Sequence, residues 1–247
     1  MNKKTKYEII VLVLIAIVIF NLAIIFTSND GKNSYEVTTV GNDSNGTVYK
    51  IIAGNTNSKD TVGIILGVHP REHEIHEAVN RTIYNITSEN GAKNLTKKYV
   101  IYYVKTIDNL TSRDDTRAAG ESLANKYIVP NIEKDNPFIV TDIHEIDPVY
   151  EYSNFLFSLS NRTDTIDNYI SKLSDGVGLV DFNFTEGTSP EKVTQPIANK
   201  GINTILVETS ITNNLSEKQN TADKLIKCLD ELNPWVWFKW KKYEEYL

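Results

Sequence analysis

Cysteine is almost missing from this chain: Cys228 stands alone among 247 residues. A single thiol excludes both an intramolecular disulfide framework and a cysteine-rich zinc site. Cys228 falls in an apolar helical pattern with Leu225, Ile226, Leu229 and Leu232, and reads as a buried, inert thiol. Positive charge is also in deficit, with 26 Lys and Arg against 32 Asp and Glu, for a net charge of −6. The first 29 residues carry Lys3, Lys4 and Lys6 against Glu8, so the rest of the chain is more acidic still. An acidic body argues against nucleic acid as the partner. No internal repeat is evident. What the chain does have is 40% apolar residues, enough at this length for one full-sized core.

Ile9 to Phe26 is apolar at every position except Asn21 and is preceded by the three lysines. That length suits a bilayer-spanning helix, and the positive flank places residues 1–8 in the cytoplasm and the remainder outside. The run exceeds the ~7–15 residues of a signal-peptide core and no A-x-A site follows, so an uncleaved anchor over residues 9–27 is expected. Nine Asn-x-Ser/Thr sequons, beginning at Asn42, Asn45, Asn80, Asn85, Asn94, Asn109, Asn161, Asn183 and Asn214, agree with an exterior, glycosylated surface. The C-terminal PWVWFKWKKYEEYL is expected to pack its aromatics on the body, with a place at the membrane interface as the alternative.

Residues 28–45 are polar and turn-rich and read as a linker, with room for one short strand over 35–40. A domain over residues 46–247 follows. Strands are expected at 47–53, 61–68, 98–107, 137–144, 154–159, 177–183 and 203–207. Helices are expected at 72–88, 121–132, 163–173, 189–199 and 216–232, with 110–120 a charged, irregular loop. Strands alternating with helices, most strands continuously apolar, give an α/β fold: a mostly parallel (mixed) central sheet covered by helices on both faces.

The chemistry gathers at strand ends. The run GIILGVHPREHEIHE (63–77) stops its apolar stretch at His69, and Glu72 follows three positions later. His144 and Glu208 end two further apolar runs. Desolvating such groups needs a partner, and a cation satisfies several at once. Two histidines and one carboxylate, with a position left for water, is a catalytic zinc arrangement. His69, Glu72 and His144 are therefore the candidate ligands, and Glu208 is the candidate base for the water. Of the remaining histidines, His73 and His76 read as solvent-facing or helix-capping, although His76 shares the Glu72 face. Glu74 and Glu77 read as a solvated face, and Glu145 points to the opposite side of its strand from His144.

The segment Gly-Val-His69-Pro-Arg71-Glu72 resembles the H-x-x-E signature of the zinc carboxypeptidases. Asp142-Ile143-His144 is similar to the segment carrying that family's second histidine ligand, and the strand ILVE ending at Glu208 to the one delivering its general base. Order and strand context agree over residues 45–230. The 75 positions between His69 and His144 make this a compact form, nearer the succinylglutamate desuccinylase and aspartoacylase branch. The resemblance implies zinc as cofactor and Glu208 as catalytic base. It also implies arginines for the substrate carboxylate or oxyanion: Arg117 first, with Arg113 and Arg71. Asp108 is the candidate for orienting a ligand histidine. The family's Asn-Arg pair for a terminal carboxylate has no clean match.

Together these readings describe a membrane-anchored, extracellular zinc amide hydrolase of peptidase type. Peptide substrates, cell-wall peptides among them, fit that location. A zinc deacylase of N-acyl amino acids and a non-catalytic surface binding protein of the same fold stand as alternatives.

Overall fold

The computed structural model describes residues 33–88, 94–184 and 190–234. The expected anchor over 9–27 and the tryptophan-rich C-terminus lie outside them. Among the described residues no helix is long and apolar enough to cross a membrane.

Among the described residues eight strands form one mixed sheet in the order β1-β2-β4-β3-β5-β8-β6-β7. They are β1 (Asn33–Asp43), β2 (Gly46–Asn55), β3 (Thr61–Leu66), β4 (Lys98–Thr106), β5 (Ile139–Ile146), β6 (Phe155–Ser158), β7 (Val180–Asp181) and β8 (Thr204–Ser210). The centre, β4-β3-β5-β8, is parallel throughout. An antiparallel ribbon of β1 and β2 extends it on one side, and β6 joins β8 antiparallel on the other. β3, β5 and β8 are buried at every position, as strands covered on both faces must be.

The helices are α1 (His73–Thr87), α2 (Arg113–Tyr127), α3 (Asp164–Leu173), α4 (Gln195–Ala198) and α5 (Leu215–Glu231). One face of the sheet packs α1, α3 and α5 through Ile75, Val79, Ile83, Ile170, Leu225 and Leu229. The other packs α2 and the segment around α4 through Leu123, Ala124, Val193 and Ile197. Caps fix three of the helix starts, Thr163 Oγ1 accepting the Ile166 N–H at 3.3 Å at α3. Ser112 Oγ accepts the Asp115 N–H at 3.0 Å, and Asn214 with Glu217 forms a reciprocal capping box at α5.

Two expectations need correction. Residues 33–43, read as linker with a strand over 35–40, form an eleven-residue edge strand. β1 takes its ladder from β2 and offers few apolar side chains, so hydrophobic pattern alone understates it. The stretch 110–120, read as an irregular loop, is helical from Arg113 onward. Its charges are those of an N-terminus, with Asp114 and Asp115 in the first turn behind Ser112.

Candidate metal centre

The two-residue period of a strand decides which side chains can meet. On β5 it puts Asp142 and His144 on one face, and on β8 Leu206 and Glu208. His144 and Glu208 are register partners in the parallel ladder. His69 arrives from β3 after Gly67, whose φ of +80° and close approach to the Val104 carbonyl exclude a side chain. Glu72 follows in a 3-10 turn over Pro70–Glu72, directly before α1.

His69, Glu72 and His144 come together, all buried, with one potential ligand atom of each within 4.8 Å of the others. His69 Nδ1 lies 3.0 Å from Glu72 Oε1, and His144 Nδ1 lies 2.9 Å from Glu72 Oε2. The opposite ring nitrogens are also occupied: His69 Nε2 lies 3.1 Å from Glu121 Oε1, and His144 Nε2 lies 3.1 Å from Asp142 Oδ1. With a carboxylate at each ring nitrogen, the Nε2 proton has its own partner, and a cation between the rings and Glu72 would take the place of the Nδ1 proton. Both imidazoles present Nδ1 toward the same carboxylate.

Charge supports the same assignment. Glu72, Glu121 and Asp142 are almost wholly buried acids. Arg117 Nη1 reaches Glu72 Oε1 at 3.0 Å, and Lys192 Nζ reaches Glu121 Oε2 at 2.7 Å. These two cations and the protonated His144 match the three acids, and a divalent ion that displaces the His144 proton would be balanced by ionised Glu208. Burial drives the Glu72 carboxyl up, but the imidazoles of His144 and His69 outweigh it and hold it well below the usual carboxylate range. Burial drives His144 down, and Asp142 and Glu72 overturn that, leaving it well above the ordinary imidazole value. The donor set of two imidazoles and one carboxylate fits zinc.

Glu208 lines the cavity in front of this cluster. Its Oε2 is buried without a hydrogen-bond partner. Burial, reinforced by Glu72 and Asp142 against His144 and Arg117, pushes its carboxyl up to about 8. The cavity holds about 220 Å³. Arg113 and Arg117 line it from α2, and Ile146, Tyr150, Phe184 and Leu206 give it an apolar side.

α2 contributes more than sequence reasoning assigned to it. Arg113, Arg117 and Glu121 recur every four residues and so share one helix face. Gly120 lets that face close: a Cβ there would stand 1.9 Å from the Val68 carbonyl oxygen. Treating 110–120 as a loop hid Glu121, although the Ser112 cap was the available signal. The carboxylates that stand at the two Nε2 atoms are Glu121 and Asp142, not Asp108. Asp108 lines a separate groove with Gly67, Pro70 and Tyr103. Arg71 turns its guanidinium to the Thr111 carbonyl at 2.6 Å and does not line the cavity.

His76 is wholly buried rather than solvent-facing; its Nε2 donates to the Ile143 carbonyl at 2.8 Å. Burial pushes it down to about 4, so it is a neutral support of β5. Glu145 does point to the other face, yet its backbone N–H donates to Glu72 Oε2 at 3.2 Å. Its carboxylate accepts the Ile75 N–H at 3.1 Å and pairs with the buried Lys218 at 2.8 Å. Lys218 also pairs with Glu74, which is therefore not a purely solvated residue.

No family model and no curated protein matches this sequence. Solved structures do match its fold. A metallo-carboxypeptidase from Burkholderia cenocepacia aligns with TM-score 0.56 at 12% identity, covering 85% of this chain and 67% of that one. A metallo-carboxypeptidase from Pseudomonas aeruginosa, solved with (2-guanidinoethylmercapto)succinic acid, aligns with TM-score 0.57 at 12% identity, covering 83% and 65%. The LapA aminopeptidase of Legionella pneumophila aligns with TM-score 0.53 at 7% identity, covering 82% and 59%. The chain spans about two thirds of the length of the carboxypeptidases it matches. Its fold is the metallo-carboxypeptidase fold.

Proposed function

We propose that the protein is a zinc-dependent amide hydrolase of peptidase type. The observation that carries this reading is the buried His69-Glu72-His144 cluster, with both Nδ1 atoms aimed inward and a carboxylate facing each Nε2. His69, Glu72 and His144 would hold the ion. Bound zinc supplies a Lewis acid and brings the pKa of a coordinated water to about 7.

The chain's own groups do the rest. Glu208 accepts a proton from water at its unpartnered Oε2 and returns it to the leaving amine nitrogen, in the general acid–base manner. Arg117, already at the ligand cluster, and Arg113, one turn away on α2, bind the substrate carboxylate and the oxygen that gains charge. Ile146, Tyr150, Phe184 and Leu206 take an apolar side chain and exclude water.

The substrate class is a short peptide with a free carboxylate, and the small cavity is in keeping with it. The lysine-flanked apolar run over Ile9–Phe26 supports a single-pass anchor with the catalytic domain outside. Cell-wall peptides are the substrates such a location offers. Glu208→Gln is the test. It retains the cation and loses roughly 10²–10⁴-fold in turnover of a short peptide; turnover within a few-fold of the parent removes Glu208 from the mechanism.

A further inference from the structure

The two carboxylates behind the imidazoles come from distant elements, Glu121 from α2 and Asp142 from β5. A single short segment holds both. Thr194 Oγ1 donates to Asp142 Oδ2 at 2.6 Å, and Lys192 Nζ donates to Glu121 Oε2 at 2.7 Å. Both residues belong to the π-helical turn Pro190–Thr194, a rare conformation that recurs at functional sites. The turn is anchored on each side. Val193 and Thr194 are wholly buried, and Asn125 of α2 donates to the Lys192 carbonyl at 2.6 Å. Its first residue, Pro190, lines the cavity beside Phe184.

Glu121 thus gives one oxygen to the His69 imidazole in a hydrogen bond and the other to this turn, while Asp142 sets Oδ1 against His144 Nε2 at 3.1 Å as an ion pair and gives Oδ2 to the turn. A buried carboxylate held at one oxygen only is free to rotate about its last torsion, and its contact with the imidazole loses direction with it. Held at both, it fixes the plane of the ring and the line along which Nδ1 points. We infer that residues 190–194 form a brace, with Lys192 and Thr194 as positioning residues. Through Glu121 and Asp142 they set the orientation of His69 and His144, and so the affinity of the site for its divalent cation. This inference rests on the metal reading above.

The test is cation affinity of the full chain, measured by competition of zinc with a chromophoric chelator. The cobalt(II) absorption spectrum and the melting temperature of the metal-free protein are recorded alongside. Thr194→Val removes the hydroxyl at nearly constant shape and is expected to weaken zinc binding ~10-fold, the low end for groups behind the ligands. It also shifts the cobalt spectrum. Thr194→Ser, which keeps the donor, restores both. Lys192→Met is expected to weaken binding several-fold; its half-exposed side chain makes it readable even if Thr194→Val does not fold. A parent chain that binds no cation overturns the metal reading and the brace together. A parent that binds one ion, with Lys192→Met and any folded Thr194→Val unchanged in affinity and spectrum, overturns the brace alone.

Discussion

The two histidine arms of the site are built in opposite ways. His144 is held within one strand: Asp142 lies two residues upstream on the same face, Thr194 is buried behind it, and His76 supports the intervening Ile143 carbonyl. His69 stands beyond the end of β3 and depends on a helix. Its partner Glu121 is 52 residues away, reaches it only because Gly120 lets α2 close on Val68, and is backed by a half-exposed lysine. One arm is set by local chain geometry and fully dehydrated. The other is set by tertiary packing and touches solvent. The strand arm should therefore be the rigid and costly one to disturb, and the helix arm the tolerant one.

Acid is the strongest probe of that difference, because only the strand arm leans on a buried neutral imidazole. His76 is depressed to about 4 in the folded chain by burial, against ~6.5 when unfolded. Between those values the unfolded chain binds the extra proton, so stability rises with pH through the window. The contribution is complete above pH ~6.5 and is lost as pH falls toward 4, on the order of 3 kcal/mol in total. Denaturant midpoints of the metal-free protein against pH should show this slope. His76→Gln should flatten it; an unchanged slope would mean His76 is not the group responsible.

Asp142→Asn comes next. Losing the charge behind a fully buried imidazole is expected to cost ~100-fold in zinc affinity, about 2.7 kcal/mol. Glu121→Gln should cost less, ~10-fold or about 1.4 kcal/mol, because solvent reaches Lys192 and relieves the loss. Equal losses in chelator competition would erase the distinction between the arms. A larger loss at Glu121 would reverse it.

The same contrast explains what could be read in the sequence. His144, Asp142 and Glu208 sit on continuously apolar strands, where an ionisable residue stands out and the two-residue period assigns its face. His69 and Glu72 share a short motif. The mixed sheet followed from the alternation of apolar strands with periodic helices. Glu121, Lys192, Thr194 and Lys218 gave no such signal. Each lies in a polar or charged stretch and gains its role from a partner 52 to 144 residues away, which a linear pattern does not encode. α2 was obscured because its acidic first turn looks like loop composition until Ser112 is recognised as a cap. β1 was obscured because an edge strand needs few apolar residues.

The central claim is that three buried side chains share one divalent ion. Elemental analysis of the purified chain, equilibrated with zinc and freed of excess, tests it most directly alongside His144→Ala. The account predicts about one zinc per parent chain, the stoichiometry of a mononuclear site, and essentially none in the variant. A folded parent chain that retains no zinc, or a variant that retains as much as the parent, would contradict it.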